Sequence, residues 1–268
     1  MSLFRFAVVG SLAVCLSACI NSSTLVKVKP DGSGTIEQTL LVNAQAIKGL
    51  MAGRGGGQAK ESGVGPGVPN EAEFKRAAER MGVKPVSITP LKENGFEGAK
   101  AIFAFDDITK VHVDQDPQLG AANGPVRDSK ESPIRFTFVK QGGSSVLTVV
   151  FDEKKAANAT AEMQSKSGSI ESIDPQMMQM LKTMFNGFKV AVDLEVEGKI
   201  LKTNADYVNG SRVTLLEIEM AGLFEDEAKL KELQSKIGPG ATISEIKPYL
   251  KDVKGVKINN PTVSIEFR

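Results

Sequence analysis

Alternating apolar and polar residues predict β-strands along much of the chain. The clearest run is 188–196, where every second residue is apolar and the intervening residues are charged or small. Turn-forming residues at 30–34 (PDGSG) and 141–144 (QGGS) join neighbouring runs into hairpins, and Asn209-Gly210 predicts a third hairpin. The other predicted strands are 24–29, 35–42, 83–88, 99–105, 134–140, 145–151, 199–207, 212–220 and 263–267.

Apolar residues spaced three and four positions apart predict helices between these strands. The stripe in 71–81 consists of Phe74, Ala77, Ala78 and Met81, and Gly82 is suited to end that helix in a left-handed conformation. The other predicted helices are 44–51, 175–185, 225–237 and 243–251.

The order of these elements predicts the fold class. Hairpins are interrupted by helices, without regular βαβ alternation, which indicates an α+β fold with a mostly antiparallel sheet and several packed helices. Polar segments near 52–69, 114–133 and 153–172 contain too few apolar residues to pack and are predicted to be flexible loops. The remainder of 24–268 is predicted to form a single domain.

The first 18 residues have the pattern of a bacterial signal peptide. Arg5 supplies the positive start, and the apolar run 6–16 is followed by small residues. A membrane-spanning helix, the alternative, needs roughly 20 apolar residues, whereas this run is followed closely by polar residues at 21–23.

The end of this segment resembles the lipobox of bacterial lipoproteins. Leu16, Ser17, Ala18 and Cys19 provide the aliphatic residue, the two small residues and the cysteine. The resemblance implies recognition of Leu16–Ala18 by the lipoprotein signal peptidase, diacylglycerol on the thiol of Cys19, cleavage before it, and an acyl chain such as palmitate on the new amino group. An ordinary cysteine beside a conventional cleavage site is the alternative. Cys15 fits the motif less well, because it follows Val14.

Lipidation would fix the location of the protein. Two or three acyl chains hold a protein stably at a bilayer, whereas one chain does so only marginally. Residues 19–23 then form a short lipidated tether. In enterobacterial lipoproteins an aspartate after the cysteine signals retention in the inner membrane, and here that position is Ile20. The resemblance therefore implies a periplasmic domain anchored to the outer membrane, in a host that has one.

The charge balance excludes some classes of partner. The chain has 33 basic and 32 acidic residues, and loss of Arg5 with the signal peptide leaves 32 of each. A neutral chain with interspersed signs argues against nucleic-acid binding and against polybasic attraction to anionic lipid.

The sequence contains no recognisable catalytic or metal-binding motif. His112 is the only histidine, no GxSxG motif is present, and His112 is predicted to face solvent on a strand. The acidic stretch 106–116 fails the EF-hand pattern, and the glycines of 52–69 do not form a phosphate-binding motif. We therefore predict no enzyme activity, no catalytic residue, no cofactor and no metal site.

Two binding functions remain from the sequence. Met177, Met180 and Met184 lie on one predicted helical stripe and could line an adaptable apolar pocket, although core packing is the commoner use of such a stripe. The first hypothesis is a non-enzymatic binding or assembly module with an envelope protein partner. The second is a carrier of a lipid or another apolar ligand in an internal cavity, and an enzyme that uses scattered carboxylates is a third.

Two stretches also resemble a group of bacterial envelope lipoproteins that includes the LppM-type domain. They are LVKVKPDGSGTIEQTLLVN at 25–43 and NGSRVTLLEIE at 209–219. The resemblance implies an antiparallel α+β domain that faces the envelope compartment, with lipid or glycolipid binding in some members. It assigns a functional role to Cys19 alone.

Overall fold

The computed structural model describes residues 20–43, 71–113, 134–153, 187–225 and 241–268, together with residues 179, 182, 228, 229, 232 and 233. Within them the chain forms two β-sheets and a few helices. The strands are β1 (Ile20–Val28), β2 (Gly34–Asn43), β3 (Lys84–Glu93), β4 (Phe96–Phe105), β5 (Ile134–Gln141), β6 (Ser144–Phe151), β7 (Lys189–Val196), β8 (Ile200–Thr203), β9 (Val208–Asn209), β10 (Arg212–Glu219), β11 (Val256–Ile258) and β12 (Thr262–Phe267). The helices are α1 (Glu71–Met81), a 3-10 helix (Ile108–Lys110), α2 (Met220–Leu223) and α3 (Ile243–Leu250).

The larger sheet has eight strands and is organised around β1. Its order is β11-β10-β7-β1-β2-β4-β3, and β9 pairs with β10 outside this path. β1 pairs with β2 antiparallel and with β7 parallel, so residues distant in sequence meet at the centre of the sheet. The smaller sheet has the order β5-β6-β12-β8 and is antiparallel throughout.

One hydrophobic core joins the two sheets. Every second side chain of each central strand is buried, as expected for a sheet with one face covered. Ile36 and Phe103 of the larger sheet share a cluster with Leu147 and Ile265 of the smaller sheet, and none of the four is measurably exposed. The apolar stripe of α1 joins the same cluster, and the ring centroid of Phe74 lies 4.9 Å from that of Phe103.

The predicted fold class is wrong. The described residues form a mostly β structure with sheets of eight and four strands, and not an α+β arrangement with several packed helices. One reason is that β3 and β4 extend well beyond the predicted 83–88 and 99–105. They meet at Asn94-Gly95, whose φ angles of 50° and 82° are those of a tight hairpin turn.

Several predicted helices lie outside the part of the chain that the structure describes. They are 44–51, nearly all of 175–185 and most of 225–237. The three polar segments predicted as loops also lie outside it, apart from Glu153.

The hairpin predicted from Asn209-Gly210 has the wrong first strand. Only the two residues of β9 pair with β10, whereas β8 pairs with β12 in the smaller sheet. The chain changes sheets at Asn204, whose side chain accepts a hydrogen bond from the Ser264 amide (2.7 Å) and donates one to the Thr262 carbonyl (3.0 Å). These side-chain bonds satisfy backbone groups of β12 where the ladder with β8 ends.

Two predicted hairpins and two predicted helices are confirmed. β1 and β2 form a hairpin around Pro30–Ser33, and Gly142-Gly143 is the two-residue turn between β5 and β6. All four residues of the predicted stripe in α1 are buried, and Gly82 has a φ of 69°. α3 begins at a capping box in which the side chains and amides of Thr242 and Glu245 bond reciprocally.

Gly34 is a position at which the larger sheet requires glycine. A Cβ atom there would overlap the Lys27 carbonyl oxygen on β1 and lie 2.7 Å from Cζ of Phe105 on β4. Because backbone cannot move aside as a flexible side chain can, we expect Gly34→Ala to lower the free energy of unfolding by about 3 kcal/mol. Chemical denaturation followed by circular dichroism measures the change.

Gly143→Ala provides the matched control for this prediction. No atom lies within 4 Å of a Cβ built on Gly143, so the free energy of unfolding should change by less than about 0.5 kcal/mol. Equal stabilities for the two variants would contradict the close approach of β1 and β2 at Gly34.

Candidate functional site

The site residues predicted from sequence lie outside the described part of the chain. These residues are Leu16, Ser17, Ala18 and Cys19 of the lipobox and Met177, Met180 and Met184 of the methionine stripe. The structure nevertheless describes the residue that follows Cys19. It therefore shows to which part of the fold a lipid on that cysteine would be connected.

β1 begins at Ile20, the residue bonded to Cys19. Ile20 pairs with Val42 of β2, and Asn21 pairs with both Leu41 of β2 and Lys189 of β7. Residues 20–23, which the sequence analysis assigned to a tether, are thus part of the central strand of the larger sheet. A lipid on Cys19 would be attached directly to this sheet.

Six strands of the larger sheet end close to the level of Ile20. Their ends form a line across the sheet, which we call the anchor end. Register places Glu219 of β10, Lys189 of β7, Asn43 of β2, Phe96 of β4 and Glu93 of β3 at or within about one residue of this level. Six strands at a spacing of about 4.8 Å make a line about 24 Å wide.

A pocket of about 240 Å³ lies at the opposite end of β1. We call it the distal pocket. The β1–β2 turn, the β5–β6 turn and the end of the chain after β12 meet there. Its lining residues are Pro30, Lys140, Gly142, Gly143, Ser144, Ser145, Phe267 and Arg268. Because β1 rises about 3.3 Å per residue over nine residues, the pocket lies about 27 Å from the anchor end.

Hydrogen bonds fix the turn on one side of the distal pocket. Asp31 accepts hydrogen bonds from the amide (2.9 Å) and hydroxyl (2.7 Å) of Ser33, and the Lys29 amide donates to the Ser33 carbonyl (2.8 Å). Gly32 has a φ of 90° and faces the ring of Phe138, which lies only 3.1 Å from a Cβ built there. The Ser145 hydroxyl donates to the Pro30 carbonyl (2.9 Å) and links the two turns.

The distal pocket combines a small apolar surface with positive charge. Pro30 is exposed and supplies the apolar surface, whereas Phe267 lies beneath the lining and is fully buried. The cationic side chains of Lys140 and Arg268 belong to the lining. Hydrogen bonds from Ser33 hold the pKa of Asp31 below its usual value, and the charges of Lys140 and Lys29 act in the same direction. Such a pocket suits a carboxylate or another anionic group carried on a small apolar body.

The outer face of the larger sheet carries paired charges. Glu37 forms ion pairs of 2.5 Å with both Lys27 and Lys100, and Glu217 lies 2.9 Å from Lys257 and 3.6 Å from Lys189. Hydrogen bonds from Lys100 and Lys27 hold the pKa of Glu37 below its usual value. The pKa of Glu217 is lowered chiefly by its hydrogen bond with Lys257. Each of these glutamates is shared by two lysines. Asp193 and Glu195 of β7 add carboxylates to the same face, so its basic and acidic charges are nearly balanced.

The inner face of the same sheet contains a buried polar pair. Thr24 of β1 and Gln38 of β2 are cross-strand neighbours and are 8% and 6% exposed. The Oε1 atom of Gln38 is buried and has no hydrogen-bond partner among the residues that the structure describes. An unpaired buried acceptor lowers the free energy of unfolding by about 1–3 kcal/mol. A ligand that donates a hydrogen bond to this amide would recover that free energy on binding.

The candidate catalytic and metal-binding residues do not converge. His112 is half-buried and follows α1 and β4 outside any strand, and its amide donates to the Met81 carbonyl (3.0 Å). Asp106 pairs with Lys84 at 2.5 Å, and Asp107 caps the 3-10 helix through Thr109. Asp114 and Asp116 lie outside the described residues. Among the residues that are described, no three His, Cys, Asp or Glu side chains are grouped to hold a metal ion.

Comparisons with known proteins identify no family for this chain. No protein-family profile and no curated protein sequence matches it. One solved structure is similar, the NMR structure of the folded domain of Mycobacterium tuberculosis LppM. The similarity covers 93% of this chain and 90% of that domain, with a TM-score of 0.36 and 11% sequence identity. Residues 25–43 and 209–219 resemble the same type of domain in sequence. The structural similarity assigns no role to any residue.

The sequence analysis did not find the distal pocket. It predicted both turns, at 30–34 and 141–144, from their glycines and Pro30, and both are present. Nothing in the local pattern shows that these two turns and Phe267 lie together, because that depends on the packing of one sheet against the other. A cross-turn contact such as the Ser145 bond to Pro30 has no signature in a single sequence.

Proposed function

We propose that this protein is a lipid-anchored bacterial envelope lipoprotein that acts as a non-enzymatic binding module. Its lipid is attached to Cys19, and it presents the distal pocket to an envelope partner. The observation that carries the proposal is the position of the lipobox cysteine, which is bonded to the first residue of the central strand β1. An anchor at that position holds the whole larger sheet at the membrane.

The lipid is the membrane attachment that this proposal requires. In the described part of the chain, no helix is long and apolar enough to cross a membrane. Among the described residues of the outer face, Glu37, Glu217, Asp193 and Glu195 nearly balance the basic side chains, so these residues form no polybasic patch to attract anionic lipid. Two or three acyl chains at Cys19 supply enough buried hydrocarbon for stable attachment without either feature.

The partner is proposed from the chemistry of the distal pocket. Lys140 and Arg268 favour an anionic group, and the exposed ring of Pro30 offers a small apolar surface beside it. Exposed carboxylates near apolar side chains are common on protein surfaces, so an envelope protein is the proposed partner. The outer membrane is the proposed location, because Ile20 occupies the position where an aspartate would signal retention in the inner membrane.

Lipidation is tested by the mass and the location of the mature protein. We expect the native polypeptide to begin at Cys19 and to weigh more than residues 19–268 by a diacylglyceryl group and one acyl chain. Cys19→Ser should abolish this added mass and release the protein from the membrane fraction, because no other residue carries the lipid. Intact mass spectrometry and membrane fractionation measure the two effects.

Cys15→Ser is the matched control, since it alters a cysteine that is removed with the signal peptide. It should leave the mature mass and the membrane attachment unchanged. A native polypeptide that begins elsewhere, or that weighs no more than its amino acids, would show that the proposed anchor is wrong.

Partner binding is tested by photo-crosslinking from the rim of the distal pocket. A photoreactive amino acid in place of Gln141 should form a discrete adduct in intact cells, because Gln141 is exposed beside Lys140. We expect Lys140→Glu to reduce this adduct several-fold, since it reverses the charge that attracts the partner. Gel mobility and mass spectrometry of the adduct measure the result.

The same photoreactive residue in place of Lys202 is the control for that experiment. Lys202 is exposed on β8 of the smaller sheet and does not line the pocket. An adduct of equal yield from position 202, or one unaffected by Lys140→Glu, would count against the distal pocket as the binding site.

A second candidate function, the carriage of an apolar ligand, is favoured by the buried polar pair. Within the described part of the chain, Oε1 of Gln38 has no partner, and Gln38 lies between Thr24 and Ala101 on the buried inner face. An apolar molecule with one hydroxyl or amide donor would satisfy that acceptor without exposing it to water. In this proposal Gln38 orients the ligand and the surrounding sheet supplies the apolar contact.

Gln38→Leu separates a carrier from a protein with an unpaired acceptor. A carrier should show a bound small molecule in native mass spectrometry, and the variant should lose most of it because the acceptor is gone. If no ligand is bound by either form, the variant should simply be more stable by about 1 kcal/mol or more. Thr39→Val, on the outer face of the same strand, is the control and should leave the bound mass unchanged.

A further inference from the structure

We infer that the larger sheet stands end-on against the bilayer, with its anchor end on the lipid headgroups and the distal pocket directed away from the membrane. This inference rests on the proposed lipidation of Cys19. It adds an interaction surface, whose partner is the headgroup layer, and a fixed height for the pocket.

The covalent distance from the lipid to the sheet is short. Consecutive Cα atoms are 3.8 Å apart, so the Cα of Ile20 is one such step from that of Cys19. The acyl chains are attached to the sulfur and the amino group of Cys19, and their carbonyls lie at the interface of the bilayer. Ile20 and the strands level with it are therefore held within about 10 Å of the headgroups.

The anchor end is broad. Its six strands end nearly level, over a line about 24 Å wide, rather than at a point. The β3–β4 turn at Asn94-Gly95 extends slightly beyond Asn43, and β3 is three strands away from β1. This turn gives the sheet a second contact about 14 Å from the lipid, which resists tilting in the plane of the sheet.

The outer face of the larger sheet is the alternative surface that could contact the bilayer. A sheet lying flat on its outer face would need an excess of positive charge or exposed apolar side chains there. Lys27 and Lys100 instead share Glu37, and Lys189 and Lys257 share Glu217. Asp193 and Glu195 of β7 bring the basic and acidic charges of this face close to balance. Contact with headgroups would disrupt these pairs without a compensating gain, so end-on contact is favoured.

These features place the distal pocket at a defined height. β1 runs from the anchor end to the β1–β2 turn, which contributes Pro30 to the pocket, and it is about 27 Å long. The pocket thus opens beyond the headgroup layer by about the length of one strand, where a protein partner has access to it.

Site-specific fluorescence quenching tests the orientation. The mature protein has no free thiol once Cys19 is lipidated, so one introduced cysteine is a unique site for a fluorescent label. Glu93→Cys marks the anchor end, Gly143→Cys the distal pocket, and Thr35→Cys the outer face near its distal end. The purified lipidated protein is reconstituted in phosphatidylethanolamine and phosphatidylglycerol vesicles that contain a lipid with a short-range quencher on its headgroup.

We expect quenching at position 93 to be several-fold stronger than at positions 35 and 143. Equal quenching at 93 and 35 would mean that the sheet lies flat, and stronger quenching at 143 would mean that the pocket faces the bilayer. A lack of quenching at all three positions would mean that the anchor end does not contact the headgroups. Each of these results overturns the inference.

Vesicle flotation separates failure of this inference from failure of the proposed function. A protein that does not float with the vesicles has no lipid anchor, and the proposed function then fails as well. A protein that floats but shows one of the three contrary quenching patterns is anchored in another orientation. Circular dichroism of each labelled variant confirms that the sheet is intact.

Discussion

The pairing of β1 with β2 from Ile20 and with β7 from Asn21 is the constraint on which the rest of the structure depends. Ile20 to Val28 bond to β2 on one side and to β7 on the other, and this joins the hairpins of the first and second halves of the chain into one sheet. The same strand carries Val26 and Val28 into the core shared with the smaller sheet. Because Cys19 is bonded to this strand, an anchor there would act on a strand that is paired on both sides over nearly its whole length.

The local part of this fold could be predicted from the sequence, and the non-local part could not. Turn residues and alternation located the β1–β2 and β5–β6 hairpins, since both signals reside in adjacent residues. Asn94-Gly95 carried an equally strong signal and would have given the full β3–β4 hairpin. By contrast, the parallel pairing of β1 with β7 joins residues about 170 positions apart, and no local pattern specifies it. The α+β prediction therefore failed where long-range pairing converted separate hairpins into large sheets.

The same distinction applies to the candidate sites. The stretch that resembles a lipobox is contiguous, so the prediction of Cys19 as the lipidated residue rests on four adjacent residues, and it stays a prediction. The distal pocket required Pro30, Lys140 and Phe267 to meet, and these come from two turns and the last strand. Gln38 gave no signal either, because a glutamine within an alternating strand is equally consistent with an outward position until its register is known. Register placed it beside Thr24 on the inner face, where its Oε1 is unpaired.

The lack of a tether has a consequence for binding. A flexible linker allows a domain to explore a volume that grows with linker length, which dilutes its binding site relative to a partner in the same membrane. In the proposed function, the lipid on Cys19 would be adjacent to the sheet and would confine the distal pocket to a layer about one strand length above the bilayer. Confinement to a layer raises the effective concentration of the pocket for any partner that extends to the same height. A pocket with modest intrinsic affinity can then bind selectively within the envelope, and that is the property a small, cationic, partly apolar site requires.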